Sequence, residues 1–317
     1  MTSFYTLLFI DQERIAQIHN GVTGGFENQI QTLIKCCENL NHSLRKYDPD
    51  ANLTVLTNNS AEIAKIAPAL CAREIPFPLV IPRGIPFYSA HHKIDVYRWL
   101  ADNADPYAVV IDSDVVCINE MPHNLRYCID NAIPTFYDVT SQIYPAHTRE
   151  RIIADKNLLA PSLGVGNWIG GEFLGGGQSF FLKLSAEIEN ILGKYFEVYP
   201  QLHHQSDETL TSVALERMAQ RGEYMVDVGT FGGLGRYWSR RTLHCQKLLE
   251  SYKDHYLLHL PADKSFLATF NHQSRFIDAY SEYLRGLGVN VAPIIYAYPK
   301  RSLVVRIRDK IKSILRA

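Results

Sequence analysis

Two carboxylates, Asp112 and Asp114, flank Ser113 directly after the apolar run at 107–111. In an extended backbone residues i and i+2 project from the same face, so both side chains can reach one hard cation through oxygen. Open α/β sheets bind ligands at the carboxyl ends of their strands, which is where this pair falls. A divalent ion held there would bridge diphosphate oxygens and stabilise the charge on a departing nucleotide. The letters alone decide little, because such a spacing is expected about once by chance in a chain of this aspartate content. The same pattern at Asp48-Pro49-Asp50 falls in a helix-to-strand turn and reads as solvent-exposed. The plain alternative for Asp112 and Asp114 is a pair that caps a strand-end loop.

Four further groups have suitable chemistry. His259 closes a second apolar run and is followed by Lys264, a combination suited to metal and phosphate. Gly170 and Gly171 stand in a glycine-rich stretch, 164–177, where missing side chains allow close approach of the backbone. Asp207 and Glu208 open a helical segment, where acidic residues are favoured by the helix dipole alone. Lys93 lies at the start of another, and by residue type alone it could equally be solvated.

The elements that must hold these residues alternate. Apolar, β-forming runs at 4–10, 53–56, 107–111 and 256–260 predict buried strands. Apolar residues at helical spacing predict helices over 27–47, 61–66, 91–104, 149–159, 179–196 and 207–220. Asn58-Asn59-Ser60 supplies the N-cap for the second of these. Such alternation predicts an α/β fold with a mainly parallel layered sheet. The 164–177 stretch reads as a separator between two helices. No internal repeat or low-complexity linker divides the chain.

The run Lys93-Ile-Asp-Val-Tyr-Arg-Trp-Leu-Ala-Asp102, with the strand and carboxylates after it, resembles the core of GT-A glycosyltransferases. It is most similar to the glycogenin and bacterial lipopolysaccharide galactosyltransferase group. His259-Leu-Pro-Ala-Asp-Lys264 resembles that group's His-x-x-Gly-x-x-Lys segment, with Ala262 where the glycine would stand. Gly170-Gly171-Glu172-Phe173-Leu174-Gly175-Gly176, followed by Asp207-Glu208, resembles segments of the blood-group A/B-type α-transferases. In the glycogenin group an asparagine stands where this chain has Ile169. The matched parts follow one another in the family's order between about 90 and 265.

That resemblance implies a GT-A type, Rossmann-like sheet flanked by helices and a sugar-transfer reaction from a nucleoside diphosphate sugar, with UDP the expected carrier. It implies that Asp112, Asp114 and His259 hold Mn²⁺ or Mg²⁺, with Ser113 beside them. Lys93 and Lys264 would contact the diphosphate, Gly170 and Gly171 would line the sugar, and Asp207 and Glu208 would flank the anomeric carbon. Both resembled groups retain configuration, so retention is expected. The acceptor would be a glycan or glycolipid hydroxyl. The rival readings are a sugar nucleotidyltransferase, whose glycine- and arginine-rich loop after the first strand is missing, and a non-catalytic carbohydrate-binding protein of the same fold. The aromatic and basic segment 231–241 reads either as an acceptor wall for an anionic glycan or as a surface loop.

Composition sets the outer bounds. The chain has 317 residues, 46% hydrophobic and 21% charged, enough for one sizeable core. A net charge of −1 gives no global field to recruit nucleic acid. No apolar run approaches the ~20 residues of a membrane span, and the N-terminus lacks signal-peptide features. The six cysteines have no CxxC spacing, which predicts reduced thiols and a cytoplasmic setting. The chain is read as a catalytic domain over 1–300 and a C-terminal helix over 301–317. In that helix Val304, Ile307, Ile311 and Ile314 share a stripe while Arg306, Arg308, Lys310 and Lys312 occupy other faces. Such a helix can lie on an anionic membrane, here the inner face.

Overall fold

The computed structural model describes residues 2–12, 24–104, 106–144, 146–240 and 244–288. The helix expected over 301–317 lies outside the described residues. In chain order the first elements are β1 (Ser3–Leu8), α1 (Phe26–Tyr47), β2 (Asn52–Thr57), α2 (Ser60–Ile66) and β3 (Ala72–Glu74). Then come α3 (Tyr88–His91), α4 (Lys93–Asn103), β4 (Ala108–Ile111), β5 (Val115–Cys117), α5 (His123–Asp130), β6 (Thr135–Asp138) and α6 (Thr140–Ile143). The last are α7 (Arg149–Leu159), β7 (Ile169–Gly176), α8 (Gln178–Val198), α9 (Asp207–Gln220), β8 (Val226–Asp227), β9 (Leu234–Arg236), β10 (Leu257–His259), α10 (Lys264–Leu267) and α11 (Phe276–Gly286).

The main sheet has the order β3-β2-β1-β4-β7-β6-β8. Strands β1 and β2 pair in parallel from Ser3↔Asn52 to Leu8↔Thr57, and β1 pairs in parallel with β4. Only β7 runs against its neighbours, antiparallel to both β4 and β6. The sheet is therefore mixed and mainly parallel, with helices on its faces, as the alternation of elements predicts. The strand order reverses between β1 and β4. A crevice opens at the carboxyl ends of strands at such a reversal.

Helical stripes close the layers. Ile30, Leu33, Ile34, Cys37, Leu40 and Leu44 of α1 are all buried, as their spacing requires. On α8, Phe181, Leu184, Ile188, Ile191 and Tyr195 form a buried stripe, and Phe181 stacks on Tyr97 of α4 with ring centroids 6.0 Å apart. Asn59 caps α2 by accepting the Glu62 amide at 3.1 Å. The free thiols of Cys36, Cys37, Cys117 and Cys128 are buried, while Cys71 and Cys245 are exposed. Among the described residues no helix is long and apolar enough to cross a membrane.

Two local expectations change. The helix expected over 91–104 is broken: α3 ends at His91, and α4 begins at Lys93 after the turn at His92. The His92 ring bonds Asp95 in the first turn of α4 at 2.8 Å, which fixes this new start. The glycine-rich separator, in turn, contains β7, an eight-residue strand buried along its whole length. Glycine disfavours strands in isolation, but here the neighbours demand it. A Cβ at Gly175 would stand 2.5 Å from Thr135 Oγ1 and 2.8 Å from the Tyr107 hydroxyl.

A second, three-stranded sheet has the order β5-β10-β9. Antiparallel pairing sets His259 opposite Val115, and parallel pairing sets His259 opposite Arg236. The Leu260 amide donates to the Asp114 carbonyl at 2.9 Å and extends the ladder. This small sheet thus brings the end of the β4 segment, His259 and Arg236 to one place.

Candidate active site

A cavity of about 250 Å³ lies where the ends of β1 and β4 diverge, lined among others by Phe9, Lys93, Asp112, Asp114, Glu208 and His259. Asp112 and Asp114 leave the end of β4, and the short turn through Ser113 leads into β5. One ligand atom from each of Asp112, Asp114 and His259 lies within 4.8 Å of the others. Two carboxylates and an imidazole suit a divalent cation, so this donor set fits the Mn²⁺ or Mg²⁺ expected. The other DxD behaves as a turn: Asp48 closes α1, its amide donating to the Leu44 carbonyl, and Asp50 is exposed.

Lys93 is buried, with 5% of its surface exposed, so it is not a solvated helix residue. As the first residue of α4 it points beneath β7, where its ammonium donates to the Gly171 carbonyl at 2.8 Å. The same ammonium stands 2.7 Å from Asp112 and 3.2 Å from Asp207. A Cβ at Gly171 would lie 2.7 Å from Asp207 Oδ2 and 3.0 Å from Lys93 Nζ. Only a bare backbone fits there. Burial alone would push the Lys93 ammonium down, but Asp112 and Asp207 hold it well above its ordinary value. The Asp112 and Asp207 carboxyls are raised by burial, opposed by the one ammonium they share.

Asp114 is paired differently. Lys264, at the start of α10, bonds one of its oxygens, and His259 Nε2 stands 3.1 Å from the other. Lys264 also donates to the Pro261 carbonyl at 3.0 Å. Burial would raise the Asp114 carboxyl, yet the two cations hold it well below the usual range. His259 feels burial pushing it down, but Asp114 and Glu172 together push it up to about 9.

Across the cavity, Ser206 caps α9 by accepting the Glu208 amide, which sets Asp207 and Glu208 on the first turn. Glu208 Oε1 receives Arg236 Nη2 at 2.8 Å and the Gly171 amide at 3.2 Å. Its Oε2 receives the Trp168 indole at 2.9 Å, with His204 Nε2 3.3 Å away. Burial raises this carboxyl, but Arg236 and His204 outweigh it and hold the group well below its ordinary value. Beyond it a wall of rings begins: Trp168 meets His203 at 4.8 Å and His204 at 5.6 Å between centroids.

All the residues singled out in the sequence converge here, although Gly170 does so from behind. A Cβ on Gly170 would lie 2.2 Å from Glu172 Oε2 and 2.9 Å from Arg236 Nη2, outside the cavity lining. The sequence does not single out Glu172, Trp168 or His204, and it offers Arg236 only as part of the 231–241 segment. Glu172 offers one signal, being the sole charged residue in the 164–177 stretch. Arg236 sits in the 231–241 segment, but it is buried in ion pairs with Glu172 and Glu208 and is not presented as a basic wall.

No family model matches the chain, and no curated protein matches it. Its overall course is similar to solved glycosyltransferase structures. The galactosyltransferase LgtC, solved with donor and acceptor sugar analogs, shares 11% identity at a TM-score of 0.46, covering 90% of this chain and 95% of that one. An active-site mutant of LgtC gives 11% identity at a TM-score of 0.45 over the same shares.

Proposed function

We propose that this chain is a metal-dependent glycosyltransferase that moves a sugar from a nucleoside diphosphate sugar, expected to be UDP-linked, to a glycan or glycolipid hydroxyl. One observation carries the reading: the Asp112, Asp114 and His259 donors share a cavity with Lys264, with Lys93 bridging Asp112 and Asp207, and with Glu208. Two lysines beside the donor set suit the negative charge of a diphosphate leaving group.

Asp112, Asp114 and His259 would hold Mn²⁺ or Mg²⁺, which supplies Lewis-acid charge against the leaving diphosphate. Lys264 and Lys93, already directed at the same carboxylates, neutralise phosphate oxygens. Gly171 leaves room for Lys93 and Asp207 to close on its backbone beside the donor site. Glu208 stays ionised at neutral pH because its cationic neighbours hold it low, so it can stabilise positive charge growing at the anomeric carbon. His204, with 34% of its side chain exposed and the buried Trp168 behind it, offers a flat face for an acceptor sugar.

Retention of configuration is the stereochemistry this arrangement favours. Inversion needs a carboxylate base free to take the acceptor proton. Each of the lining carboxylates Asp112, Asp114, Asp207 and Glu208 already has a cationic partner. A thermal-shift screen of nucleotide sugars with and without Mn²⁺ tests the reading. A ligand at 100-fold its Kd contributes about 2.7 kcal/mol, so nucleotide sugar is expected to add a rise of several degrees in the presence of the metal and none in EDTA. A shift that needs no metal counts against it.

The catalytic unit would span 1–300, and the basic, apolar-striped tail over 301–317 would hold it peripherally on an anionic cytoplasmic membrane face. A lipid-linked acceptor would follow, as in polysaccharide or lipopolysaccharide assembly. Removing 301–317 should lower co-sedimentation with anionic liposomes and leave neutral liposomes unaffected; equal binding by both proteins would end this part of the proposal.

A further inference from the structure

The steps above make no use of Glu172, yet it is the most deeply placed charge near the cavity, with 0% of its surface exposed. Side chains alternate along β7, so Gly171 faces Lys93 while Gly170 and Glu172 face the small sheet. There the Glu172 carboxylate takes a two-pronged grip from Arg236, through Nε at 2.6 Å and through Nη2. Its Oε1 also stands 3.2 Å from His259 Nδ1, an ion-pair contact outside hydrogen-bond geometry. Arg236 then reaches on to Glu208 Oε1 at 2.8 Å. The chain of contacts runs from Asp114 through His259, Glu172 and Arg236 to Glu208.

The space for this pair is made at Gly170, whose Cβ would strike both partners. A buried ion pair is a poor device for stability, since well-packed apolar residues of similar volume often serve as well or better. Its geometry serves orientation instead. A carboxylate on one imidazole nitrogen fixes the ring and its tautomer, and leaves the other nitrogen directed at the metal position.

We infer that Glu172 and Arg236 are positioning residues: Glu172 turns His259 so that Nε2 faces Asp114, and Arg236 ties that orientation to Glu208. The inference rests on the proposed reading of Asp112, Asp114 and His259 as a metal site. Its test is the affinity of the full chain for Mn²⁺ alone, by electron paramagnetic resonance of free Mn²⁺, with melting in EDTA as the control for folding. Glu172→Gln should weaken Mn²⁺ binding about 10- to 100-fold, the usual cost of losing such an outer partner. Glu172→Gln leaves Arg236 less well paired and could melt early, so the double variant E172M/R236M decides. A purely structural pair predicts wild-type affinity once the melting temperature is restored. Orientation predicts the same 10- to 100-fold loss in a protein that melts no lower than wild type. Wild-type affinity in the double variant overturns the inference alone. Wild-type protein that binds no Mn²⁺, or binds it undiminished after Asp112→Asn, overturns the metal reading beneath it.

Discussion

Asp114→Asn should lower metal-dependent sugar transfer on the order of 10³-fold, the scale seen when a preorganised electrostatic contact to a transition state is removed. The same change should also cost stability. Asp114 is the counter-ion of both Lys264 and His259, and the three side chains are 6–8% exposed. Leaving buried cations without their carboxylate costs about 3–5 kcal/mol. Transfer assays at saturating Mn²⁺ with a soluble acceptor check the first part, and urea melts in EDTA check the second. An Asp114→Asn protein with wild-type turnover would remove this carboxylate from the chemistry.

Lys93→Met should have the second-largest effect, and its sign with pH is distinctive. Lys93 is the cation shared by Asp112 and Asp207, whose carboxyls burial already raises. Without the ammonium those carboxyls rise further, so the folded variant binds protons that the unfolded chain, with carboxyls near pH 3.9, releases. A raised folded-state value means that stability falls as pH rises from the unfolded value through the folded one. The melting temperature of Lys93→Met should therefore fall increasingly below wild type as pH rises from about 4, with the deficit smallest at the acid end and reaching about 3 kcal/mol. A deficit independent of pH would mean that Lys93 contributes packing and not charge.

Much of the frame is legible in sequence because it rests on local periodicity. The α1 stripe from Ile30 to Leu44 follows from the apolar spacing alone. The DxD pair and Asp207-Glu208 could be placed at element ends for the same reason. What could not be read locally depends on partners distant in the chain. β7 looks like a loop because Gly175 answers to Tyr107 and Thr135, which no local window contains. Lys93 looks like an ordinary helix residue until Gly171, 78 positions away, closes over it. Arg236 looks like part of a basic surface segment because its two carboxylate partners lie on β7 and α9. Residue type marks these groups as able to ionise, but only the tertiary course decides whether they meet solvent, a ligand or each other.

The register of the small sheet bears on how the proposed donor set would meet an ion. His259 lies opposite Val115, and the Leu260 amide holds the Asp114 carbonyl, so the histidine and the second aspartate are set by backbone hydrogen bonds. Only the side-chain rotamers remain to be set, by Glu172 beside the His259 ring and by Lys264 on Asp114. The loss of conformational freedom needed to assemble that pair of donors therefore falls on folding, not on ion capture. Such a frame shows slow amide exchange at Leu260 whether or not an ion is present, and it makes the entropy of capture chiefly that of released water.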